Sequence, residues 1–455
     1  MTTNDQVWCG IWLDMEALRH GIRFIGSPGS GKSVMLKALR ATLAALIKTR
    51  PEYDILAVDF DGGKRDLYEI FRLFPQWSPV YDLNPFLWGD RYDFMGDLED
   101  PRDIAQAAAN IVEVPKTLQQ PYFAQAAQHV FRAIMLRHWL VAPARVRTRD
   151  VFLSGMSADN IRGVLKSHPQ SRHALTLVNG SESGFSVMSS LMNEVGKYEY
   201  VASLWDSNDR GRAVSVRSFL KQRFALLSLP YDDKSIATLA AIVRYLLVVL
   251  QQRALSTVVR NRYLLLLLDE LALLPGGINL DLTLVKGRET GICPLFAYQS
   301  HAHCRTVHGK EKFDAMTGLM KTTIVLNQPS REDAEYCAKV FSDQQGYMRL
   351  TSAQGGKNPS MGWSEQLTTV ENVTASMIQS LPLPTPSNPF IEGFMVTLPF
   401  RPFRFRVRIP DLLKALVPAA APQAPPAPRD PKDFLLRPWS EDDYKRLSLP
   451  RPRSL

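Results

Sequence analysis

Ile22-Arg23-Phe24-Ile25-Gly26-Ser27-Pro28-Gly29-Ser30-Gly31-Lys32-Ser33 begins as a short buried strand and breaks into the spelling G-x-x-x-x-G-K-S. From Val34 to Ile47 apolar residues recur at helical spacing, so the motif lies between a predicted strand and a predicted helix, the setting its chemistry requires. Gly26, Gly29 and Gly31 allow backbone dihedrals closed to other residues. The loop they form with Ser27, Pro28 and Ser30 can therefore turn its N–H groups inward around phosphate oxygens. The following helix adds the positive end of its dipole. Lys32 is placed to reach the β- and γ-phosphates of ATP, and the Ser33 hydroxyl to ligate the Mg²⁺ that bridges them.

A hydrolase built on such a loop needs a second site, because Mg²⁺ must be held from its other side and a water must be aligned and deprotonated. Tyr263 to Leu268 is a leucine run ending in Asp269-Glu270, too short for a membrane span and bounded as a central parallel strand would be. Asp269 is the candidate second Mg²⁺ ligand and Glu270 the candidate base. Paired with the loop, this motif selects the additional-strand ATPases over simple kinases or GTPases. Gln299, in Tyr298-Gln299-Ser300, closes another predicted strand, where a neutral amide can report on the γ-phosphate or the water; the alternative is an amide pairing with backbone. Arg288, in Lys286-Gly287-Arg288-Glu289-Thr290-Gly291, is either a solvated arginine or one inserted into a neighbouring subunit's site.

At 455 residues, 45% hydrophobic and 22% charged, the chain has the composition of an ordinary soluble protein of two or three domains. No window reaches about eighteen uninterrupted apolar residues, and Asp14, Glu16 and Arg19 stand where a signal peptide would need its apolar core. The expectation is a cytoplasmic protein. Four cysteines without a C-x-x-C pair argue for reduced thiols. A net charge of +9 favours a polyanionic partner, nucleic acid and acidic membrane surface both being compatible.

Along the chain, Asp54 to Phe60 reads as a second parallel strand, with Asp59 at the carboxyl end where ligands of open α/β sheets bind; a helix cap or turn former is the other reading of Asp59. Ser78 to Leu83 reads as a short edge strand. Ile104 to Val112, Pro121 to Leu140, Ala158 to Ser167 and Phe185 to Leu204 then show helical periodicity with almost no strand signal between them. Strands resume at Phe224 to Leu229, followed by a helix from about Lys234 to Leu255 and strands at Ile292 to Tyr298, Thr322 to Leu326, Gly393 to Leu398 and Phe403 to Ile409. The expected division is a nucleotide-binding domain in two parts, 1–96 and 214–415, around an all-α insertion at 97–213, with a Pro-rich linker and flexible tail at 416–455. A disordered tail and a short docking peptide both fit its last segment.

The order GSPGSGKS, VDFDGG, NPF, an all-α insertion, SVRSFLKQRFALLSL, LLLLLDELALL, KGRETG and AYQS resembles the type IV coupling proteins of bacterial conjugation, particularly the TraD/TrwB-like group, over roughly residues 17 to 410. The resemblance implies an α/β fold: a RecA-like P-loop NTPase domain with a mainly parallel central sheet flanked by helices, plus an inserted all-α domain. It also implies an ATPase that assembles as a homo-oligomeric, hexameric ring and pumps single-stranded DNA toward a secretion channel, with ATP and Mg²⁺ as cofactors. By that similarity Lys32 and Ser33 match the phosphate-loop pair, Asp269 and Glu270 the second carboxylate motif, Arg288 the trans-acting arginine and Gln299 the sensor glutamine. Typical members begin with a transmembrane anchor, whereas here few residues precede the loop. The expectation is no direct membrane span, with recruitment to the inner face of the membrane by a relaxase, accessory protein or secretion-channel partner. A HerA/FtsK-like translocase in DNA processing and a non-motor recruitment protein are the rival readings.

For DNA the candidate cations are Arg210 and Arg212, with Arg217, Lys221 and Arg223 nearby, and Arg305, Lys310 and Lys312 after the sensor strand, since phosphate contacts independent of sequence let a strand advance. Arg217 and Arg223 are equally readable as structural. His301-Ala302-His303-Cys304 fits no standard zinc spacing and reads as a plain loop.

Overall fold

The computed structural model describes residues 6–8, 11–13, 15–49, 51–60, 66–114, 121–208, 211–231, 234–256, 261–274, 280–341, 344–354, 360–370, 372–397, 401–416 and 428–451. The chain divides into two compact units. The first comprises Met1–Leu43, Glu270–Ala272 and Cys293–Pro418; the second comprises Ala44–Asp269, Leu273–Ile292 and Ala419–Leu455.

In the first unit the strands lie in the order Phe403–Arg408, Phe390–Val396, Thr322–Val325, Ile22–Ile25, Ile292–Tyr298. Ile22–Ile25 is buried throughout and pairs in parallel on both sides, Val325 and Tyr298 each falling opposite Ile25. Three chain segments therefore leave the sheet at one carboxyl edge: the phosphate loop from Gly26 onward, Gln299, and Leu326 to Gln328. That edge is where ligands of open α/β sheets bind. The two outer strands are antiparallel. Arg23, buried within the central strand at 4% exposure, is accommodated because its Nε–H donates to Thr323 Oγ1 at 2.8 Å and its Nη1–H to Tyr336 Oη at 3.0 Å. A hairpin of Gln344–Gln354 and Ser360–Val370 was not evident from sequence.

In the second unit Arg262–Leu268, Asp54–Phe60, Phe224–Ser228 and Val80–Asp82 form a parallel set in that order. The leucine run is buried along its length, which is why it lacks polar alternation. Asp59 is fully buried on its strand, and residues 61–63 lie outside the described residues.

The helical region opens at Asp100, whose carboxylate caps Pro101–Ile111 in a reciprocal box with Asp103. It continues through Tyr122–Val141, Thr148–Leu153, Ala158–Lys166, Glu182–Gly196 and Glu199–Asp206. The segment expected at Phe185 to Leu204 is two helices, separated where Tyr198 turns inward and stacks on Phe152, ring centroids 4.8 Å apart. Asp97 ties the entry of this region to its exit by accepting from the backbone N–H of Val216 (3.1 Å) and Arg217 (2.7 Å). Burial raises its carboxyl to about 6. Among the described residues one helix, Ile236–Ser256, is long and apolar enough to cross a membrane. Here its apolar face, with Leu239, Ile242, Leu246 and Leu250, is buried within the unit.

Of the segment expected as a Pro-rich linker and flexible tail or docking peptide at 416–455, residues 428–451 lie against the helical region. Arg429 stacks on Trp88 at 3.6 Å from the ring centroid and bonds Ser207 Oγ. Trp439 Nε1–H donates to Asp150 at 3.1 Å, and Arg446 reaches the same carboxylate at 2.7 Å. Asp150 is fully buried, so the tail supplies charge and hydrogen bonds that this carboxylate would otherwise have to forgo. Such anchors carry no periodicity, and composition alone reads them as solvated.

Candidate functional site

The phosphate loop is shaped by two left-handed residues, Gly29 (φ 78°) and Gly31 (φ 93°). Its base is hydrogen-bonded to both neighbouring strands. Gly26 N–H donates to the Tyr298 carbonyl at 3.3 Å, and Ser27 N–H to the Asn327 carbonyl at 3.0 Å. Ser27 Oγ adds a bond to Asn327 Oδ1 at 3.2 Å, and Asn327 is itself fixed by donating to the carbonyls of Gln379 and Leu381. Pro28 and Gly29 are exposed at the tip, whereas Ser30 is buried.

The helix Lys32–Thr49 starts immediately after the loop, so its first N–H groups face the same space without intrahelical acceptors. Ser30 Oγ is buried and has no hydrogen-bond partner among the described residues. An unsatisfied hydroxyl beside a helix N-terminus is the donor set a phosphate requires. A Cβ on Gly31 would lie 2.6 Å from Ile391 Cγ1. Gly31→Ala should therefore abolish nucleotide binding in a fluorescent-nucleotide titration, and trimming Ile391 to Ala should not restore it, because the left-handed φ remains unfavourable for any side chain.

Lys32, Glu270 and Gln299 come together within the first unit. Lys32 Nζ lies 3.0 Å from Glu270 Oε2, and Gln299 Nε2–H donates to the same oxygen at 2.6 Å. Lys32 is 7% exposed. Gln299 is held in turn by Gln328, whose Nε2–H donates to its carbonyl at 2.9 Å. Glu270 adopts φ 55°, a left-handed conformation that costs a non-glycine residue about 1–3 kcal/mol and is found mainly at functional sites. Asn327 and Gln328 escaped the sequence reading; the signal was present, since two amides directly follow the strand Thr322–Val325 at the ligand-binding edge.

Asp269 and Arg288 belong to the second unit. Asp269 is 4% exposed at the end of the leucine strand. Arg288 is exposed on the last turn of Asp281–Thr290. Ser33 is partly exposed in the first turn of its helix. For Mg²⁺, a hydroxyl such as that of Ser33 and a carboxylate such as that of Asp269 are each oxygen donors of the right kind.

Of the cations considered for DNA, Arg212 forks onto Asp90 (Nε to Oδ1 3.0 Å, Nη2 to Oδ2 2.8 Å) and lies over Tyr81. Arg305 forks onto Asp314 (2.7 and 2.5 Å). Arg217 pairs with Glu99 and Arg223 with Asp54, both at 2.7 Å. Lys310 is exposed, Lys312 partly so, and Arg210 lies outside the described residues. The segment expected as a loop at His301 to Cys304 opens the helix His301–His308, capped by Ser300. His301 packs on Tyr336 with its ring nitrogen 2.9 Å from Asp314, and burial pushes it down to about 4.

Comparison with known proteins bears on this arrangement. The sequence model of the type IV secretion-system coupling protein DNA-binding domain matches residues 7–400. The fold is similar to that of the bacterial conjugative coupling protein TrwBdeltaN70 in its unbound monoclinic form (18% identity, TM-score 0.68, covering 89% of this chain and 88% of that one). It is likewise similar to the plasmid coupling protein TrwB in complex with ADP and Mg²⁺ (18% identity, TM-score 0.67, 90% of each chain) and with the GTP analogue GDPNP (18% identity, TM-score 0.68, 90% of each chain). No curated relative matches the chain by sequence.

Proposed function

The chain belongs to the type IV secretion-system coupling proteins, and from that premise we propose that it is an ATP-driven motor that hydrolyses ATP to translocate DNA, single strands being favoured, and links a DNA–protein substrate to a secretion apparatus. The observation that carries this reading is the meeting of Lys32, Glu270 and Gln299 beside the phosphate loop. A binding-only loop needs the lysine; it has no use for a carboxylate and an amide on the same side.

The chemistry divides among the side chains. The loop N–H groups and Ser30 Oγ bind the phosphates. Lys32, now on Glu270, turns to the β- and γ-phosphate oxygens when ATP is present, which frees the carboxylate. Glu270 then accepts the proton of the attacking water, while Gln299, holding the same carboxylate, sets its direction. Bound Mg²⁺ would neutralise phosphate charge, and Ser33 and Asp269 are the residues that would hold it.

The active species in this proposal is a homo-oligomer, a hexameric ring, at the cytoplasmic face of the membrane and attached there through a relaxase, an accessory protein or the channel. The test is ATP turnover across protein concentration, with and without single- or double-stranded DNA. Turnover should rise more steeply than linearly with protein and be stimulated by single strands. Stimulation by duplex alone would select a HerA/FtsK-like translocase. A rate indifferent to any DNA would replace the motor by an ATP-dependent recruitment protein.

A further inference from the structure

Five guanidiniums meet at one cleft of the second unit. A cavity of about 620 Å³ is lined by Arg91 of the short strand Arg91–Tyr92, by Arg145, Arg147 and Arg149 around the start of the helix Thr148–Leu153, and by Arg446 of the docked tail. Two carboxylates, Asp93 and Asp206, share the lining. Asp206 is already engaged twice, by Arg147 at 3.2 Å and Arg149 at 2.9 Å. Arg446 is matched by Asp150 at 2.7 Å and Asp443 at 2.6 Å.

Arg91 and Arg145 are left over. Arg91 Nε–H donates to the Gly211 carbonyl at 3.1 Å, Arg145 is exposed, and among the described residues neither has a carboxylate partner. Arg149 is 6% exposed, yet its Nε–H has no hydrogen-bond partner among the described residues. Arg149 is paired with both Asp206 and Asp443 at 2.9 Å, so the surplus falls on Arg91 and Arg145, whose remaining N–H groups await acceptors.

We infer that this cleft binds phosphate groups of a single-stranded nucleic acid, with Arg91 and Arg145 as principal donors and the docked tail completing its wall. Guanidinium forks match phosphate oxygens better than any other side chain does. The aromatic residues of the lining, Tyr92 and Trp205, are each 2% exposed and offer no face for a base to stack on. Binding is therefore to the backbone and independent of base sequence. The inference rests on the reading that the chain handles nucleic acid and adds which residues of the second unit would hold a strand.

The test uses the full chain and a labelled single-stranded oligonucleotide, its affinity read by anisotropy across salt concentration. The double variant Arg91→Ala/Arg145→Ala should bind roughly tenfold more weakly. Its log–log salt slope should be shallower by about 1.4, two phosphates at about 0.7 each. Basal ATP turnover should be unchanged. Lys166→Ala/Arg172→Ala removes two exposed cations elsewhere on the same helical region and should leave the slope as in wild type. An equal loss in both variants would mean diffuse charge and overturn the site. So would unchanged DNA binding in Arg91→Ala/Arg145→Ala, or a loss confined to an acidic peptide such as polyglutamate. If turnover of the wild type responds to DNA while this double variant binds normally, the cleft fails and the motor stands. If the slope falls as expected but DNA never stimulates turnover, the cleft stands and the motor fails.

Discussion

Glu270→Gln should bind ATP with close to wild-type affinity and turn it over about 10²- to 10⁴-fold more slowly, the range a positioned base contributes. The amide keeps the size of the carboxylate and can still accept from Lys32 and Gln299, which now converge on one Glu270 oxygen at 3.0 and 2.6 Å. It cannot take a proton from water. The left-handed φ of 55° is the same for both side chains, so the substitution does not act through the backbone. Lys32→Ala should behave differently, losing turnover together with affinity, because a charge directed at the phosphates is removed. Single-turnover hydrolysis measured beside equilibrium nucleotide binding separates the two. A Glu270→Gln enzyme that retains more than about a tenth of wild-type turnover would place the base elsewhere.

The local geometry of the candidate nucleotide site was legible because its parts obey local rules. The glycine spelling announces dihedrals that only glycine holds easily, and Gly29 and Gly31 take them. The leucine run announces a strand with no exposed face, and Asp269-Glu270 comes directly after it as the strand ends. Gln299 could be found for the same reason, since it directly succeeds a buried strand whose last residue lies opposite Ile25. Asn327 was missed although it holds the base of the loop, because an amide after a strand is common and only the strand order shows which amides face one edge. The strand order itself is non-local: Ile22–Ile25 lies between segments about 300 residues downstream, and no periodicity reports that.

The helical region was legible as helix but its surface was not. Arg149, Asp150 and Asp206 stand in no motif and outside the periodic segments, yet Asp150 is fully buried and Arg149 nearly so. Arg149 and Asp150 are ion-paired with residues of 428–451, which come after a Pro-rich stretch and carry isolated anchors rather than a repeat. Charge pairing across such a distance leaves no trace in composition. Arg212 and Arg305, singled out for DNA, are each paired with a neighbouring carboxylate, which the sequence did not show.

Arg288→Ala should lower turnover by about 10³- to 10⁵-fold with nucleotide affinity little changed, the effect of removing an arginine that stabilises charge only in the transition state. Arg288 stands on the last turn of Asp281–Thr290, which is closed by Gly291 at φ 83°. A Cβ on Gly291 would come within 2.0 Å of the Arg262 carbonyl, so the helix end is seated on the start of the leucine strand and presents Arg288 from a rigid base. If Arg288 serves a neighbouring subunit, the defect must complement: subunits carrying Lys32→Ala cannot turn over ATP but still donate Arg288. Mixed in equal amounts with Arg288→Ala subunits through head-to-tail interfaces, about a quarter of sites would pair an intact loop with an intact arginine. Turnover should therefore reappear on mixing two inactive preparations and rise with total protein. An arginine acting within its own subunit predicts no recovery at any ratio, since no subunit in the mixture then holds both groups.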